Sequence, residues 1–200
     1  MPLEAYRKKR DFGETPEPPG HVGRAGRRDR PIFVVQKHDA SRLHYDFRLE
    51  ISGVLTSWAV PKGPSMNPAD KRLAVMTEDH PLEYADFEGI IPEGQYGAGT
   101  VIVWDKGWYE HADDISMDRQ VARGRIDIVL HGRKLRGGFT LVKTTANRSA
   151  NRSQAKNWLL IKHRDEHADS SWDIEAPALT RSVLTGRTLK EIAEGRAPRH

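Results

Sequence analysis

Leu43-His44-Tyr45-Asp46-Phe47-Arg48-Leu49-Glu50-Ile51 alternates apolar and polar residues without a break. Leu43, Tyr45, Phe47, Leu49 and Ile51 fall on one face, and His44, Asp46, Arg48 and Glu50 on the other. Such period-two alternation, rich in aromatics, is the pattern of a half-buried strand. Residues two apart on a strand project the same way, with a rise of about 3.3 Å per residue. The stretch therefore predicts a sheet with one apolar face and sets His44, Asp46 and Arg48 in a row, two metal-ligand types beside a phosphate-binding type. His38 lies six residues before His44, close enough to return to the same spot after a short turn. The row reads either as the solvated face of an amphipathic strand, which is the default, or as a built site.

Outward from this strand, short apolar runs punctuated by turn residues predict further strands at Ile32–Lys37, Val54–Val60, Arg72–Thr77, Thr100–Trp104, Trp108–Glu110, Arg125–Leu130, Gly138–Lys143 and Trp158–His163. Many short strands at this spacing indicate a mainly β protein, an antiparallel sandwich or a closed barrel. One helix is expected over Asp118–Arg123, ended by Gly124. A second, short and terminal, is expected where Thr188 and Glu191 have capping-box spacing and Gly195 suits a stop. Residues 1–30 are rich in charge, Pro and Gly and lack hydrophobic periodicity, so they read as an N-terminal arm, irregular unless bound or packed on the body. The expected organisation is an arm over 1–30, a domain over 31–165 and a polar tail with a short helix over 166–200. Pro92-Glu93-Gly94-Gln95-Tyr96-Gly97-Ala98-Gly99 fits neither nucleotide-binding Gly fingerprint and precedes a strand, so it reads as a structural turn. Thr145–Lys156 is polar and basic and reads as a loop between two strands.

Two hundred residues, 37% apolar and 30% charged, suit one domain with extensions, able to bury roughly two thirds of the unfolded chain's surface. No apolar run approaches the roughly 20 residues of a membrane span. The basic amino terminus has no following apolar stretch, and there is no cysteine, so neither a secretory signal, a disulfide framework nor a thiolate metal site is expected. A cytoplasmic protein is the expectation. Charge is unevenly spread: residues 31–118 carry 7 basic and 15 acidic side chains, residues 119–165 carry 12 and 2. The basic segment reads as a polyanion track or as cations that merely solvate strand faces.

In chain order the chemistry-bearing residues are His38, His44, Asp46, Arg48, Lys62, Arg72, His80 and Tyr84. Two imidazoles and a carboxylate make a mixed nitrogen and oxygen site that suits Mn, Fe or Zn better than Mg or Ca. Three protein ligands leave positions open for water and a substrate oxygen, and a metal there acidifies water and polarises a phosphoryl oxygen. Arg48 can grip two phosphate oxygens with its planar fork, and Lys62 and Arg72 can add positive charge. Two other classes stay open on these residues. His44-x-Asp46 with the distant His80 also suits a non-haem iron oxygenase, and residues 119–165 suit a non-catalytic nucleic-acid-binding module. His111, His131 and His163 are assigned no role.

Several blocks are more specific than spacing. They are Phe33-Val34-Val35-Gln36-Lys37-His38-Asp39-Ala40, Leu43 to Glu50, Ser57-Trp58-Ala59-Val60-Pro61-Lys62-Gly63-Pro64, Glu78-Asp79-His80-Pro81-Leu82-Glu83-Tyr84 and Pro92 to Gly99. Through them the sequence resembles the 3′-phosphoesterase module of bacterial ATP-dependent DNA ligase D, an end-joining repair enzyme. Looser matches at Leu130-His131-Gly132 and Asn157 to Lys162 extend the likeness. The resemblance implies a compact antiparallel β-barrel and a manganese-dependent hydrolase. This would remove a 3′-terminal ribonucleoside from a primer strand and then the remaining 3′-phosphate, leaving a 3′-hydroxyl on DNA or RNA-terminated DNA ends. It implies His38, His44 and Asp46 as metal ligands, and Arg48 and His80 as groups on the scissile phosphate, His80 also as proton donor to a leaving group. Tyr84, Lys62 and Arg72 match further active-site positions. Arg10, Asp11 and Glu17 match an arm motif that serves nucleoside removal more than phosphate removal. No Lys-x-Asp-Gly adenylation motif occurs, so ligase, polymerase and Ku-type partners are expected on separate chains if the module stands alone. The tail Ser182 to Leu189 resembles the linker that follows the module in fused ligases, which leaves an excised piece equally open.

Overall fold

The computed structural model describes residues 3–22, 30–112, 114–144 and 156–199. Among these, nine strands pair only antiparallel: β1 (Ile32–Asp39), β2 (Leu43–Ile51), β3 (Val54–Val60), β4 (Lys71–Met76), β5 (Gly89–Ile91), β6 (Gly99–His111), β7 (Arg125–His131), β8 (Arg136–Lys143) and β9 (Asn157–Lys162). Their order is β1-β2-β3-β4-β9-β8-β7-β6, and β1 also pairs with β6, so eight strands close into a barrel. β5 lies on the stretch of β6 before β7 begins to pair, Gly99–Val101 as against Trp108–His111. Closure removes the exposed edges that an open sheet would offer to other chains.

Strand parity decides what fills the barrel. Phe33 and Val35 of β1, Tyr45, Phe47, Leu49 and Ile51 of β2, and Trp58 of β3 join Phe139, Leu141, Trp158 and Leu160 from the far wall in one buried core. Trp58 and Trp158 meet edge to face, ring centroids 5.8 Å apart, an arrangement that aromatic quadrupoles favour. The opposite parity does not face open water. Val34, Leu55, Val101 and Val103 form a second cluster on the outer wall with Tyr6 and Tyr84. The cover comes from the arm, whose short helix α1 (Glu4–Lys8) buries Tyr6, and from the 3-10 turn Leu82–Asp86. Sequence reading had anticipated neither α1 nor the three-residue β5.

β6 is one strand of thirteen residues where two were expected. Asp105-Lys106-Gly107 has the composition of a break, yet it serves a neighbouring turn. The Asp105 carboxylate accepts backbone N–H bonds from Arg133, Lys134 and Leu135 between β7 and β8. A Cβ at Gly107 would lie 2.1 Å from the His131 carbonyl oxygen. The register of the strand against β1 shifts between Val35 and Gln36, the mark of a β-bulge.

The two expected helices are present as α2 (Met117–Arg123), stopped by Gly124 at φ 77°, and α3 (Leu189–Ala193), with the capping box of Thr188 and Glu191 formed. Beyond β9 the tail returns over the barrel. Ile174 joins the core with Trp172 and Leu179 packed against it, Glu175 pairs with Lys37 and accepts from the Tyr45 hydroxyl, and Lys134 donates to the Leu179 and Arg181 carbonyls. The expected loop over 145–156 lies, but for Lys156, outside the described residues. No helix among the described residues is long and apolar enough to cross a membrane.

Candidate active site

Antiparallel register assembles the site. His38 near the end of β1 stands directly opposite His44 near the start of β2, Gln36 opposite Asp46, and Val34 opposite Arg48. Across the next pair, Arg48 faces Ser57 and Asp46 faces Ala59. Side chains opposite each other in a ladder lie on one face, so parity and a three-residue turn suffice to bring His38, His44 and Asp46 together. One ligand atom from each lies within 4.8 Å of the others. The Asp46 carboxylate is 3.7 Å from His38 Nδ1 and 3.7 Å from His44 Nε2.

These residues fit a divalent transition metal. His44 Nδ1 lies 2.9 Å from the Arg42 carbonyl oxygen, which accepts only a proton-bearing nitrogen, so Nε2 is the nitrogen turned toward Asp46. This is how ligating imidazoles are commonly oriented. His38 Nε2 is buried without a hydrogen-bond partner, a condition that costs about 1–3 kcal/mol unless something satisfies it. Burial works against charge on Asp46, but Arg48, His38 and His44 outweigh it and hold the carboxyl well below the usual range, ready as an anionic ligand.

Arg48 is the hub. It is 3% exposed; Nε donates to the Gln36 side chain (2.8 Å), Nη1 to Ser57 Oγ (2.9 Å), Nη1 also faces His80 Nδ1 (2.9 Å), and Nη2 reaches Asp46 (3.2 Å). Gln36 is itself fixed by donating to the Tyr84 and Phe87 carbonyls. His80 is tied to β3 by reciprocal backbone bonds with Leu55 and is flanked on its other nitrogen by Arg10 Nη2 at 3.3 Å. Burial, then the charges of Arg48 and Arg10, push its pKa well down, so the imidazole is neutral near pH 7. Tyr84 donates to Glu17 Oε1 at 2.8 Å, and burial followed by the Glu17 charge pushes its phenol well up.

The arm completes the wall. Arg10 donates to Glu17 at 2.9 Å, with both side chains almost wholly buried, and its guanidinium lies 3.9 Å above the Tyr6 ring. A cavity of about 320 Å³ results, lined among others by Arg10, His38, His44, Asp46, Arg48, His80, Tyr84 and Tyr96. A larger cleft of about 720 Å³, between Trp108, His131, Arg136 and His163, opens beside the Ile32 end of β1, away from His38. None of His38, His44 and Asp46 lines it.

Three expected site residues lie elsewhere. Asp11 is exposed, and its carboxylate accepts from the Gly13 N–H. Lys62 and Arg72 line a separate cleft with Asp70 and Lys71, where Arg72 pairs with Asp70 at 2.7 Å. Conversely, Gln36, Ser57, Glu78 and Tyr6 belong to the site without having been singled out. Gln36 shares strand parity with His38, so its signal was present; Tyr6 and Glu78 arrive only through tertiary packing. The basic segment is also less of a surface track than its count suggests. Lys162 is buried against Asp165, and Lys134, with its pKa lowered to about 8 by burial, is turned toward the tail. Arg119, Arg123 and Lys143 remain exposed.

Comparison with known proteins points to the same region. The family of DNA ligase D 3′-phosphoesterase domains matches residues 36–143. The chain is 50% identical over 192 residues to the multifunctional non-homologous end joining protein LigD of Pseudomonas aeruginosa, covering 94% of this chain and 22% of that protein. It is 47% identical over 195 residues to the multifunctional non-homologous end joining DNA repair protein LigD of Mycobacterium tuberculosis, covering 96% and 24%. Against LigD of Mycolicibacterium smegmatis the figure is 43% over 170 residues, covering 82% and 21%. The chain thus spans under a quarter of the length of these curated relatives.

Proposed function

Because the chain belongs to the DNA ligase D 3′-phosphoesterase family, we propose that it is a metal-dependent hydrolase that prepares 3′ ends for DNA end joining. It removes a 3′-terminal ribonucleoside from a primer strand and then the 3′-phosphate left behind, giving a 3′-hydroxyl. The observation that carries this reading is the convergence of His38, His44 and Asp46 within 4.8 Å beside a buried arginine that is fixed at four points.

His38, His44 and Asp46 would hold manganese or a similar divalent ion, which when bound supplies an acidified water and polarises a phosphoryl oxygen. Arg48 offers positive charge to oxygens on which negative charge develops. Its bonds to Gln36 and Ser57 are already made, so its orientation costs no rearrangement during reaction. Neutral His80 accepts a proton more readily than it gives one in the free protein. A phosphate seated beside it restores the imidazolium and lets it protonate the leaving oxygen, the 5′-oxygen of the nucleoside in the first step and the 3′-oxygen of the primer in the second. The oxygenase reading used His80 as the second imidazole ligand, whereas His80 is enclosed by the cations Arg48 and Arg10, a setting that supports phosphate contact over metal ligation. Acting in the cytoplasm, such a module would hand its product to ligase, polymerase and Ku-type partners on the same ends.

The test is a 5′-labelled primer–template whose primer ends in one ribonucleotide, incubated with metal-stripped protein with and without manganese, the His44→Ala variant alongside. Stepwise conversion to a 3′-phosphate and then a 3′-hydroxyl, dependent on metal and His44, is expected. A primer left intact by folded, metal-loaded protein would overturn the assignment.

A further inference from the structure

The cavity around the triad has a lining that phosphoryl chemistry does not use. The loop between β5 and β6 places Tyr96 in its wall, 48% exposed, one of few large apolar side chains open to solvent among the described residues. The ring is nevertheless held. Lys9 Nζ donates to its hydroxyl at 3.1 Å and lies 4.3 Å from the ring centroid, and Lys9 is anchored in turn on Glu78 at 2.9 Å. A second bond between the same loop and the arm, Gln95 to Glu14 at 3.0 Å, keeps the two segments together. Between Tyr96 and the triad comes Gly97, at φ 77°, where even a Cβ would sit 3.7 Å from His38 Cε1. The absence of a side chain leaves the way from the ring to the triad open.

An aromatic face that is exposed, fixed in place and set beside a phosphate-binding cluster is a stacking platform for a nucleobase. We propose that Tyr96 forms the base subsite for the terminal nucleoside, the group released in the first step of the reading above, on which this inference rests. Because every base presents a π-face, such a subsite holds any of them. It also divides the two steps, since the nucleoside is present only in the first. The loop and the arm therefore act together there: Lys9 steadies the platform, while Arg10, held by Glu17, forms the wall beyond it.

The experiment uses the full chain with manganese and two 5′-labelled primers, one ending in an ordinary ribonucleotide and one in an abasic ribonucleotide. The wild-type protein is expected to favour the base-bearing end by roughly 5- to 150-fold in kcat/KM, the range that stacking on one aromatic ring confers. Tyr96→Leu should erase that preference, and Tyr96→Phe, which keeps the ring and loses the hydroxyl, should retain it. A preference that survives in Tyr96→Leu, or one absent from the wild type, overturns the proposal. A binding measurement separates this from failure of the hydrolase reading. A primer ending in fluorescent 2-aminopurine should be quenched on binding metal-free wild-type protein and not Tyr96→Leu, whether or not turnover occurs. Equal quenching by both refutes the subsite on its own.

Discussion

The two faces of β2 are both buried, and for opposite reasons. Inward, Tyr45, Phe47, Leu49 and Ile51 leave water by packing on the far wall of the barrel. Outward, Asp46 and Arg48 are 8% and 3% exposed because His38 and His44 flank the one and His80 and the Tyr84 ring the other. The inner face is held by shape and area, which tolerate substitution of like volume. The outer face is held by pairing, because a buried charge without a partner is costly. Alternation along a strand therefore reports which residues share a face. It does not report which face is wet.

The largest effect should come from the outer face. His44→Ala is expected to lower 3′-end processing by more than the roughly 10–100-fold typical of losing a partner outside the ligand set. Because His44 is part-exposed, its far-UV circular dichroism and urea midpoint should stay close to wild type. Retained turnover in a folded variant would break the contrast, since the outer face would then be structural only.

Next come truncations that test each face by stability. Phe47→Ala opens a cavity in the core and is expected to cost about 3–5 kcal/mol in urea unfolding. Glu17→Ala should cost about 1–3 kcal/mol, although it removes no core side chain, because it leaves the Tyr84 hydroxyl without its acceptor and Arg10 with Glu78, 3.5 Å away, in place of its 2.9 Å partner. If Glu17→Ala behaves like an exposed ion pair, at under about 1 kcal/mol, the arm does not seal the outer face as described.

The same contrast explains what could be read ahead of the structure. Parity in β1 and β2 sufficed for the barrel wall and for the pairing of His38 with His44, since both are set by neighbours in sequence and a short turn. Parity also pointed to Gln36. Tyr6, Arg10 and Glu17 meet His80 and Tyr84 across separations of about seventy residues, as Lys9 and Arg10 meet Glu78, and no local pattern carries such contacts. Resemblance supplied Arg10 and Glu17 where periodicity was silent, yet it also grouped Lys62 and Arg72 with the triad, although they line another cleft. Asp105 misled for a different reason: its composition signals a turn, and it does cap one, but on a distant part of the chain.

Conservative substitutions at adjacent positions sharpen the comparison. Leu49→Met keeps apolar volume and is expected to cost less than about 1.5 kcal/mol with activity retained. Arg48→Lys keeps the charge but cannot reach Gln36, Ser57 and Asp46 together with a single ammonium, so kcat should fall by about 10- to 100-fold. Equal activity in the two variants would mean that the outer face needs only charge.

The smallest effect is a pH dependence of stability, measured on metal-stripped protein. Burial, then Arg48 and Arg10, hold the pKa of folded His80 well down, while in the unfolded chain it returns to about 6.5. Above about pH 6.5 the imidazole is neutral in both states and the group adds no slope. As pH falls below that value the unfolded chain takes up a proton that the folded chain does not, so stability drops until folded His80 is protonated too. Between pH 7.5 and 5.5 the wild type should therefore lose more stability than His80→Gln in urea unfolding, by on the order of 1 kcal/mol. Asp46 is also depressed, but its contribution is lost only as pH falls through and below the usual carboxylate range, outside the measured interval. Parallel losses in wild type and variant would show that His80 is as well solvated as in the unfolded chain. The outer face of β2 would then be wet after all.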